Sequence, residues 1–407
     1  EISCSLVGSE MCIRDRFGTD DLILQDAEAS DDKVTLHLEL KRKEQPCPNC
    51  GCLTNCIHDY RMQTVKEISV LGKETNLVFR KRRYRCLDCG KRFQEQNSML
   101  QKYARMTSRL MNYVCEKLKS EYSFSSVARE VKTSVNTVIR IFDKEAEYPV
   151  PLIGEVIAID EFKGNTGKEK YQCIVADPKE HCVLDILPNR FKKNVSAYFK
   201  QHLKGVLDNV QYFISDMWKP YVDTAKEVFQ NATRVVDKYH WIRQVIWAFE
   251  AVRKKAQKNC TKKQRLTMKR SRTLLNKRYS YLSQDNRKRV DDMLSCSDDL
   301  KEAHTLKESF FLALDSKDRN QAILQLSRWI AQAMHSSIKV FEECAYTLYE
   351  WKEGILNSFD CKYTNGFAEG CNNKIKVLKR NAYGYRNFDR FRNRILHMFS
   401  HQRKSTA

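Results

Sequence analysis

The chain has 407 residues, with 72 Lys and Arg against 51 Asp and Glu, so its formal charge at pH 7 is +21. Hydrophobic residues make up 42% and aromatics 10%, which excludes a disordered tail, and no apolar run approaches the roughly 18 residues that cross a bilayer. What remains is a folded, basic chain with room for several domains and an affinity for polyanions, of which nucleic acid is the commonest in a cell.

Residues 1–16 begin without Met and carry Cys4 and Cys12 in no periodic pattern; we expect a non-native leader there and leave it out of the fold. Residues 17–45 hold one alternating strand, Val34–Leu40. Two Cys-x-x-Cys pairs with a β-rich stretch between them follow, then apolar positions at helical spacing through Leu110, Val114 and Leu118. Pro149 and Pro151 punctuate as a linker. Beyond it come short apolar strands at Glu155–Asp160, Tyr171–Ala176, Cys182–Leu187, Val210–Ser215 and Thr233–Val236, with an amphipathic stretch at Val195–Leu207. Residues 239–356 read as helical and very basic, and 364–400 close with helices. This order describes a multidomain α+β chain whose α/β domain is interrupted by an all-helical insertion. The expected boundaries are 17–100, 101–148, 149–240, 241–356 and 357–407.

Of the sixteen cysteines, most stand singly in apolar contexts (Cys115, Cys173, Cys182, Cys344), where a thiol acts as a small core group. Cys47-Pro-Asn-Cys50-Gly51 and Cys86-Leu-Asp-Cys89-Gly90 are matching knuckles. Two residues between thiolates let one turn aim both sulfurs at one ion, and the glycine relieves the turn; four thiolates make a closed structural Zn²⁺ site in a reducing compartment. The 35-residue gap between the pairs calls for a hairpin, and Cys52, Cys56 and His58 are rival ligands. The basic run that enters the second knuckle offers Arg82, Arg83 and Arg85 to phosphates, the alternative being a merely solvated strand. Ser125–Val131 and Val135–Phe142 then form a helix-turn-helix candidate. Thr133 or Ser134 caps the second helix, and Asn136, Thr137 and Arg140 face a groove.

Asp160 ends the strand that begins at Val156, and Asp216 ends the one through Tyr212–Ser215. A charge after a buried strand ordinarily marks the chain surfacing. On neighbouring parallel strands, however, both would stand at one sheet end and share Mg²⁺ or Mn²⁺. Glu369 opens a helix on which Asn373, Lys376 and Arg380 follow at i+4, i+7 and i+11, one face carrying a metal ligand, an amide and two cations. Three carboxylates suit in-line attack on a phosphodiester, where two Mg²⁺ roughly 3.5–4 Å apart activate the attacking oxygen and stabilise the leaving one. No protein nucleophile is needed. Between Arg253 and Arg278 lie twelve Lys or Arg in 26 residues and no Asp or Glu. Lys254, Lys255, Lys262, Lys263, Lys269 and Arg270 are therefore candidate DNA contacts. Trp241 and Trp247 precede the run; they either stack on an unpaired base or pack in the insertion core.

From Ile159 onward the chain resembles a transposase of the insertion-sequence family written ISL-three, within the Asp-Asp-Glu group. The matching strings are Ala158–Phe162, Ser215–Tyr221, Val236–His240, Thr364–Gly366, Glu369–Gly370, Asn372–Lys376, Lys379–Arg380, Gly384–Phe388 and Phe391–Arg392. With the zinc ribbon and helix-turn-helix, the resemblance spans roughly residues 45 to 400. It implies a ribonuclease-H-like core with Asp160, Asp216 and Glu369 as catalytic metal ligands and an insertion between the second and third. It also implies that Asp237 and His240 form an Asp-x-x-His element, His240 contacting a phosphate or leaving group. Glu161 is a competing carboxylate that strand alternation sends to the other face.

The expectation is a metal-dependent transposase that binds double-stranded DNA at terminal inverted repeats and at the target, works as a homodimer or larger assembly, and has no membrane partner. The bacterial cytoplasm, at the nucleoid, is the place that fits. One alternative is a DNA-binding regulator on an inactive ribonuclease-H-like fold; another is a nuclease of that fold without strand transfer.

Overall fold

The computed structural model describes residues 21–96, 104–146, 148, 153–166, 169–202, 205 and 207–400; the leader at 1–16 and the Pro149–Pro151 linker lie outside the described residues. The chain divides into two compact units, Glu1–Glu147 with Arg380–Tyr383, and Tyr148–Lys379 with Gly384–Ala407.

In the first unit the alternation at Val34–Leu40 forms β2 (Lys33–Leu40), paired antiparallel with β1 (Leu22–Ala29). The sequence did not announce β1, whose apolar residues bunch at Leu22–Leu24 and whose register shifts before Asp26; pairing with β2 supplies what its pattern lacks. After the short strands β3 (Gln45–Pro46) and β4 (Leu53–Thr54) comes the expected hairpin, β5 (Ile57–Val70) and β6 (Lys73–Arg85), with β7 (Arg92–Gln94) on the far side of β6's end. The sheet runs β1-β2-β6-β5, with β2 and β6 parallel. Leu22, Leu36, Leu38, Val65, Leu77 and Phe79 bury together on one face, each worth about 1.5–3 kcal/mol.

Among the described residues three helices complete that unit: α1 (Ser108–Lys117), α2 (Phe124–Glu130) and α3 (Val135–Glu145). Thr107, Ser123 and Ser134 cap them through side-chain oxygens, so of the two expected caps for α3 Ser134 is the one used. Val114, Val127, Ala128, Val138 and Phe142 are buried, and Phe124 meets Phe142 edge-on at 5.4 Å. Lys132 makes the turn between α2 and α3 at a φ of 49°, a left-handed conformation taken without glycine.

The second unit is built on a five-stranded sheet. Its elements in chain order are β8 (Val156–Thr166), β9 (Glu169–Asp177), β10 (Cys182–Leu187), α4 (Lys192–His202), β11 (Tyr212–Ser215), α5 (Lys219–Val228) and β12 (Thr233–Val236). The sheet order is β10-β9-β8-β11-β12, antiparallel from β10 to β8 and parallel from β8 to β12. Alternation divides the strand residues between two cores. Ile157, Ile159, Val175 and Phe213 pack with Val195, Phe199, Tyr221 and Ala225 from α4 and α5.

The insertion follows as α6 (Lys238–Lys258), α7 (Lys262–Arg270), α8 (Arg272–Asn276), α9 (Gln284–Leu294), α10 (Asp298–Leu314), α11 (Arg319–Met334), α12 (Lys339–Glu350) and α13 (Lys352–Asp360). It has a core of its own around Trp241, Phe249, Phe310, Trp329 and Phe341. The chain then returns to the sheet with α14 (Gly366–Asn381) and α15 (Phe388–Met398). Ala368, Cys371, Ile375, Phe391 and Ile395 cover the second sheet face against Phe162, Ile174, Ala176 and Val183. A mixed sheet with helices on both faces, interrupted by a helical block before its last helices, is the ribonuclease-H-like arrangement that the resemblance implied.

Candidate active site and nucleic-acid interface

In the N-terminal unit the four cysteine sulfurs of the two knuckles lie within 4.8 Å of one another. Sγ of Cys47 is 3.5 Å from that of Cys89, and Cys50 is 3.5 Å from Cys86. A tetrahedral ion with Zn–S bonds of about 2.3 Å sets sulfurs about 3.8 Å apart, so the donor set fits Zn²⁺ closely. Gly51 and Gly90 take φ of 75° and 72°, and their N–H groups donate to Cys47 and Cys86 carbonyls at 2.9 and 3.1 Å. A side chain in that left-handed turn would be strained, which is why each knuckle ends in glycine. The rivals stand apart from this cluster: Cys52 is exposed, and His58 contacts Asp59 and Arg83.

The basic strand β6 divides into two kinds of arginine. Arg85 is exposed, and Arg83 is half-buried and paired with Asp59 at 2.9 Å. Arg82 departs from the expectation. Its guanidinium is buried, pairs with Glu39 and Glu95, and donates to the Leu40 carbonyl at 2.7 Å. It is a strut of the sheet and offers nothing to a phosphate: on the face that it shares with exposed Arg80, Glu39 and Glu95 close over it. On α3, Asn136 and Arg140 are exposed and Thr137 is half-buried, its N–H bonded to the Ser134 hydroxyl.

In the catalytic unit, β8 and β11 run parallel with Tyr212 opposite Val156 and Ile214 opposite Ala158. The same register carried two residues further sets Asp216 opposite Asp160 at one sheet end. Asp160 lies on the face covered by α14: its Oδ2 accepts from the Asn372 amide at 2.9 Å, and its Oδ1 from the Glu161 N–H at 2.8 Å. Burial pushes the Asp160 carboxyl up to about 6, and repulsion from Glu369 and Glu161 adds to it. Burial likewise pushes Asp216 up to about 7, with the charges of Glu161 and Asp160 adding and Arg190 and Arg243 opposing. Glu369, in the first turn of α14, is raised by burial and by Asp237, against Arg243 and Lys376. The Oδ1 atom of Asp216 is buried without a hydrogen-bond partner. Crowded carboxylates with raised proton affinity and an unsatisfied buried acceptor fit a divalent cation bound through oxygen.

A second cluster adjoins this one. One ligand atom each from Asp237, His240 and Glu369 lies within 4.8 Å of the others. Asp237 is buried where β12 gives way to α6, and its two oxygens accept from the N–H groups of Asn365 at 3.0 Å and Tyr239 at 3.2 Å. One carboxylate thus caps α6 and fastens the chain just ahead of α14. Burial lowers the proton affinity of His240, with Asp237 opposing.

Several residues here went unassigned in the sequence. The amide that meets Asp160 is Asn372, whereas Asn373 is exposed and accepts from Lys376 at 3.3 Å. Glu369 has helical neighbours at both i+3 and i+4, and spacing alone does not choose between them. Asn365 is fully buried, bonded to Asp237 and, at 3.4 Å, to the Ile159 carbonyl. Arg243 and Arg190 supply the positive charge, and no motif marked either. Glu161, the competing carboxylate, is held by Arg190 at 2.8 and 3.0 Å while its charge still acts on Asp160 and Asp216, and that guanidinium lies 4.5 Å from the Tyr171 ring and 4.6 Å from Trp218.

The basic run 253–278 finds counter-charges outside itself. Arg253 is buried on Glu250 at 2.7 Å, Arg272 joins it at 3.0 Å, Lys255 reaches Asp299 at 3.3 Å, and Arg278 pairs with Asp315 at 2.6 Å. Lys254, Lys262, Lys263, Lys269 and Arg270 are exposed and stay outside these pairs, as does Arg380 on α14. The two tryptophans split: Trp241 is buried in the insertion core and Trp247 is 53% exposed.

Among the described residues no helix is long and apolar enough to cross a membrane. Three family models match the chain in order. They are a zinc-finger of transposase IS204/IS1001/IS1096/IS1165 at residues 43–89, a helix-turn-helix domain of transposase family ISL3 at 95–146, and the ISL3 transposase domain at 157–395. The transposase for insertion sequence element IS1001 of Bordetella parapertussis is 27% identical over 369 residues, 88% of this chain and 89% of that one. An ATP-dependent protease of Lactococcus lactis subsp. lactis is 31% identical over 109 residues, but these cover 26% of this chain and 33% of that protein. The short stretch carries no weight against a match along the whole length. With a four-thiolate zinc site, a helix-turn-helix and buried carboxylates on a ribonuclease-H-like sheet, the chain belongs to the ISL3 family of transposases and is a metal-dependent DNA-cutting enzyme.

Proposed function

We propose that the chain recognises the terminal inverted repeats of its insertion sequence through the N-terminal unit, cuts at the ends, and joins the freed 3′-hydroxyl to target DNA. The module at 17–100 and the helices at 101–148 serve end recognition, the core at 149–240 and 357–407 serves chemistry, and 241–356 serves DNA holding. The observation that supports this reading is the parallel register of β8 and β11, which carried on sets Asp216 opposite Asp160, together with α14, which brings Asn372 to Asp160 and holds Glu369 in its first turn.

Asp160, Asp216 and Glu369 are the proposed ligands of Mg²⁺ or Mn²⁺, with Asp237 and His240 adjoining through Glu369. Bound there, the cations supply Lewis acidity to the attacking and leaving oxygens of the phosphodiester. Asn372 orients Asp160 through its amide, and Asp237 holds α6 and the approach to α14 in place. Neutral His240 is available to accept or donate a hydrogen bond at a phosphate or leaving group. Arg243 and Arg190 balance the carboxylate charge. Asn373, Lys376 and Arg380 continue from Glu369 as a phosphate track, joined by Lys254, Lys255, Lys262, Lys263, Lys269 and Arg270 on the insertion. Arg83, Arg85, Asn136, Thr137 and Arg140 contact the repeat. Two ends must be brought together, so a homodimer or larger assembly on DNA is expected, in the bacterial cytoplasm at the nucleoid.

The test is an end-labelled duplex carrying the element's own terminus, incubated with wild type and with Asp216→Asn. The reading predicts Mg²⁺-dependent cleavage and joined product from wild type, and end binding without cleavage from the variant. Loss should be on the order of 10³-fold, as when a preorganised electrostatic group is removed. Binding without cleavage by folded wild type would favour the regulator, and cleavage without joining the plain nuclease.

A further inference from the structure

The first three turns of α6 carry a ladder that the metal chemistry leaves unexplained. Tyr239, Arg243 and Trp247 stand at i, i+4 and i+8, on one side of the helix. The Arg243 guanidinium lies 5.1 Å from the Tyr239 ring centroid and 4.3 Å from that of Trp247. Both aromatics are about half exposed, Tyr239 at 52% and Trp247 at 53%, while Trp241, Val245, Ala248 and Val252 bury the opposite side of the same helix. An exposed tryptophan held over an arginine is a stiff, flat surface with a cation behind it.

The ladder begins at the carboxylates. Its helix is capped by Asp237, His240 lies in the first turn, and the Arg243 charge is felt at Asp216 and Glu369. It ends in the basic run, where Lys254 and Lys258 continue the same side of α6, both exposed and without an ion pair among the described residues. The occupant must therefore be flat, stack on an aromatic face, and be joined to phosphates on both sides. A nucleobase displaced from its duplex meets all three demands.

We propose that Trp247, braced by Arg243 and Tyr239, stacks on an unpaired base of the DNA strand whose scissile phosphate lies at the carboxylates. This rests on the reading that the enzyme cuts DNA ends. From His240 to Trp247 the helix rises about 10 Å, and a strand advances about 3.4 Å per nucleotide, so the stacked base is roughly three nucleotides from the cut. Arg243 serves both groups: it steadies the ring and lends positive charge to the site. Unpairing costs energy that the stack returns, so the ladder favours ends that open readily.

The test places thymine in turn at each of the five nucleotides on either side of the cut, in a duplex terminus bound with Ca²⁺, and treats the complex with permanganate, which oxidises the 5,6 double bond of a thymine that has left the duplex stack. One position about three nucleotides away should become several-fold more reactive with wild type and with Trp247→Phe, and stay protected with Trp247→Ala. Cleavage by Trp247→Ala should fall about 10-fold on paired DNA and recover on a terminus mismatched at that position. Equal thermal melting of the variants would exclude a folding defect. No reactive position with bound wild type, or a Trp247→Ala protein that gives the same reactivity and cuts as wild type does, would overturn the proposal. Permanganate reads base displacement whether or not the end is cut, so absent cleavage speaks against the transposase reading and not against the ladder.

Discussion

The molecule holds two metal centres, one in each unit, and they are built on opposite principles. The four knuckle sulfurs converge on one point, two pairs of them 3.5 Å apart, with each turn closed by glycine and a backbone hydrogen bond. The carboxylates stand at one sheet end without such closure: Asp160 is held by Asn372, Asp237 by two backbone N–H groups, and one buried oxygen of Asp216 by nothing. A site that holds a fold together is closed and complete before any reaction. A site that works on DNA leaves ligand capacity open and keeps its charges in tension until cations and phosphate arrive.

The largest test of this contrast is Cys86→Ser. A four-thiolate zinc site contributes about 10 kcal/mol or more of apparent binding energy at pH 7, so the variant should lose its zinc and melt the N-terminal sheet. Circular dichroism and zinc analysis read both. One equivalent of zinc retained after the change would move the ligand assignment to Cys52, Cys56 or His58.

Arg82→Ala and Arg85→Ala separate strut from contact. Removing Arg82 leaves Glu95 buried without its paired cation and Glu39 with Arg80 at 3.5 Å, which costs about 3–5 kcal/mol and should lower the unfolding midpoint sharply. Removing exposed Arg85 should leave stability unchanged and reduce the salt slope of DNA binding by about one contact. Equal effects of the two on stability would refute the division of that strand.

A smaller effect concerns pH. Asp160 and Asp216 have proton affinities raised to about 6 and about 7, so between roughly pH 4 and 7 the folded protein binds protons that the unfolded chain has released. Stability from these groups is therefore present at low pH and lost as pH rises through 6 to 7, a tenfold change in proton affinity being worth about 1.4 kcal/mol. Without divalent metal the catalytic unit should melt at lower temperature at pH 8 than at pH 5.5. Mg²⁺ should restore the difference, and Asp216→Asn should flatten the profile. Melting that rises with pH in chelator would contradict the sign.

Much of this was legible in the chain because short-range physics wrote it there. The knuckles carry their glycines, the hairpin fills the gap between them, and Cys182–Leu187 and Thr233–Val236 are strands with the bounds read from their apolar runs. What stayed hidden depends on partners distant in sequence. Strand β1 is defined by pairing with β2, and Lys132 turns the chain in a conformation that glycine would have advertised. Arg82 looked like its neighbours until Glu39 and Glu95 closed over it. Asn372 meets a carboxylate 212 residues away, and the basic run finds Asp299 and Asp315 across the insertion. Type and spacing located the acidic residues; the amides and arginines that tune them needed the fold.

The sharpest check on two separate metal centres is dialysis of the purified protein against metal-free buffer, followed by zinc analysis and by cleavage of a labelled terminus before and after Mg²⁺ is returned. One zinc per chain should be retained throughout, with cleavage lost without Mg²⁺ and restored by Mg²⁺ alone. Cleavage that persists without added Mg²⁺, or returns with Zn²⁺ and not with Mg²⁺, would contradict the division between a closed structural centre and an open catalytic one.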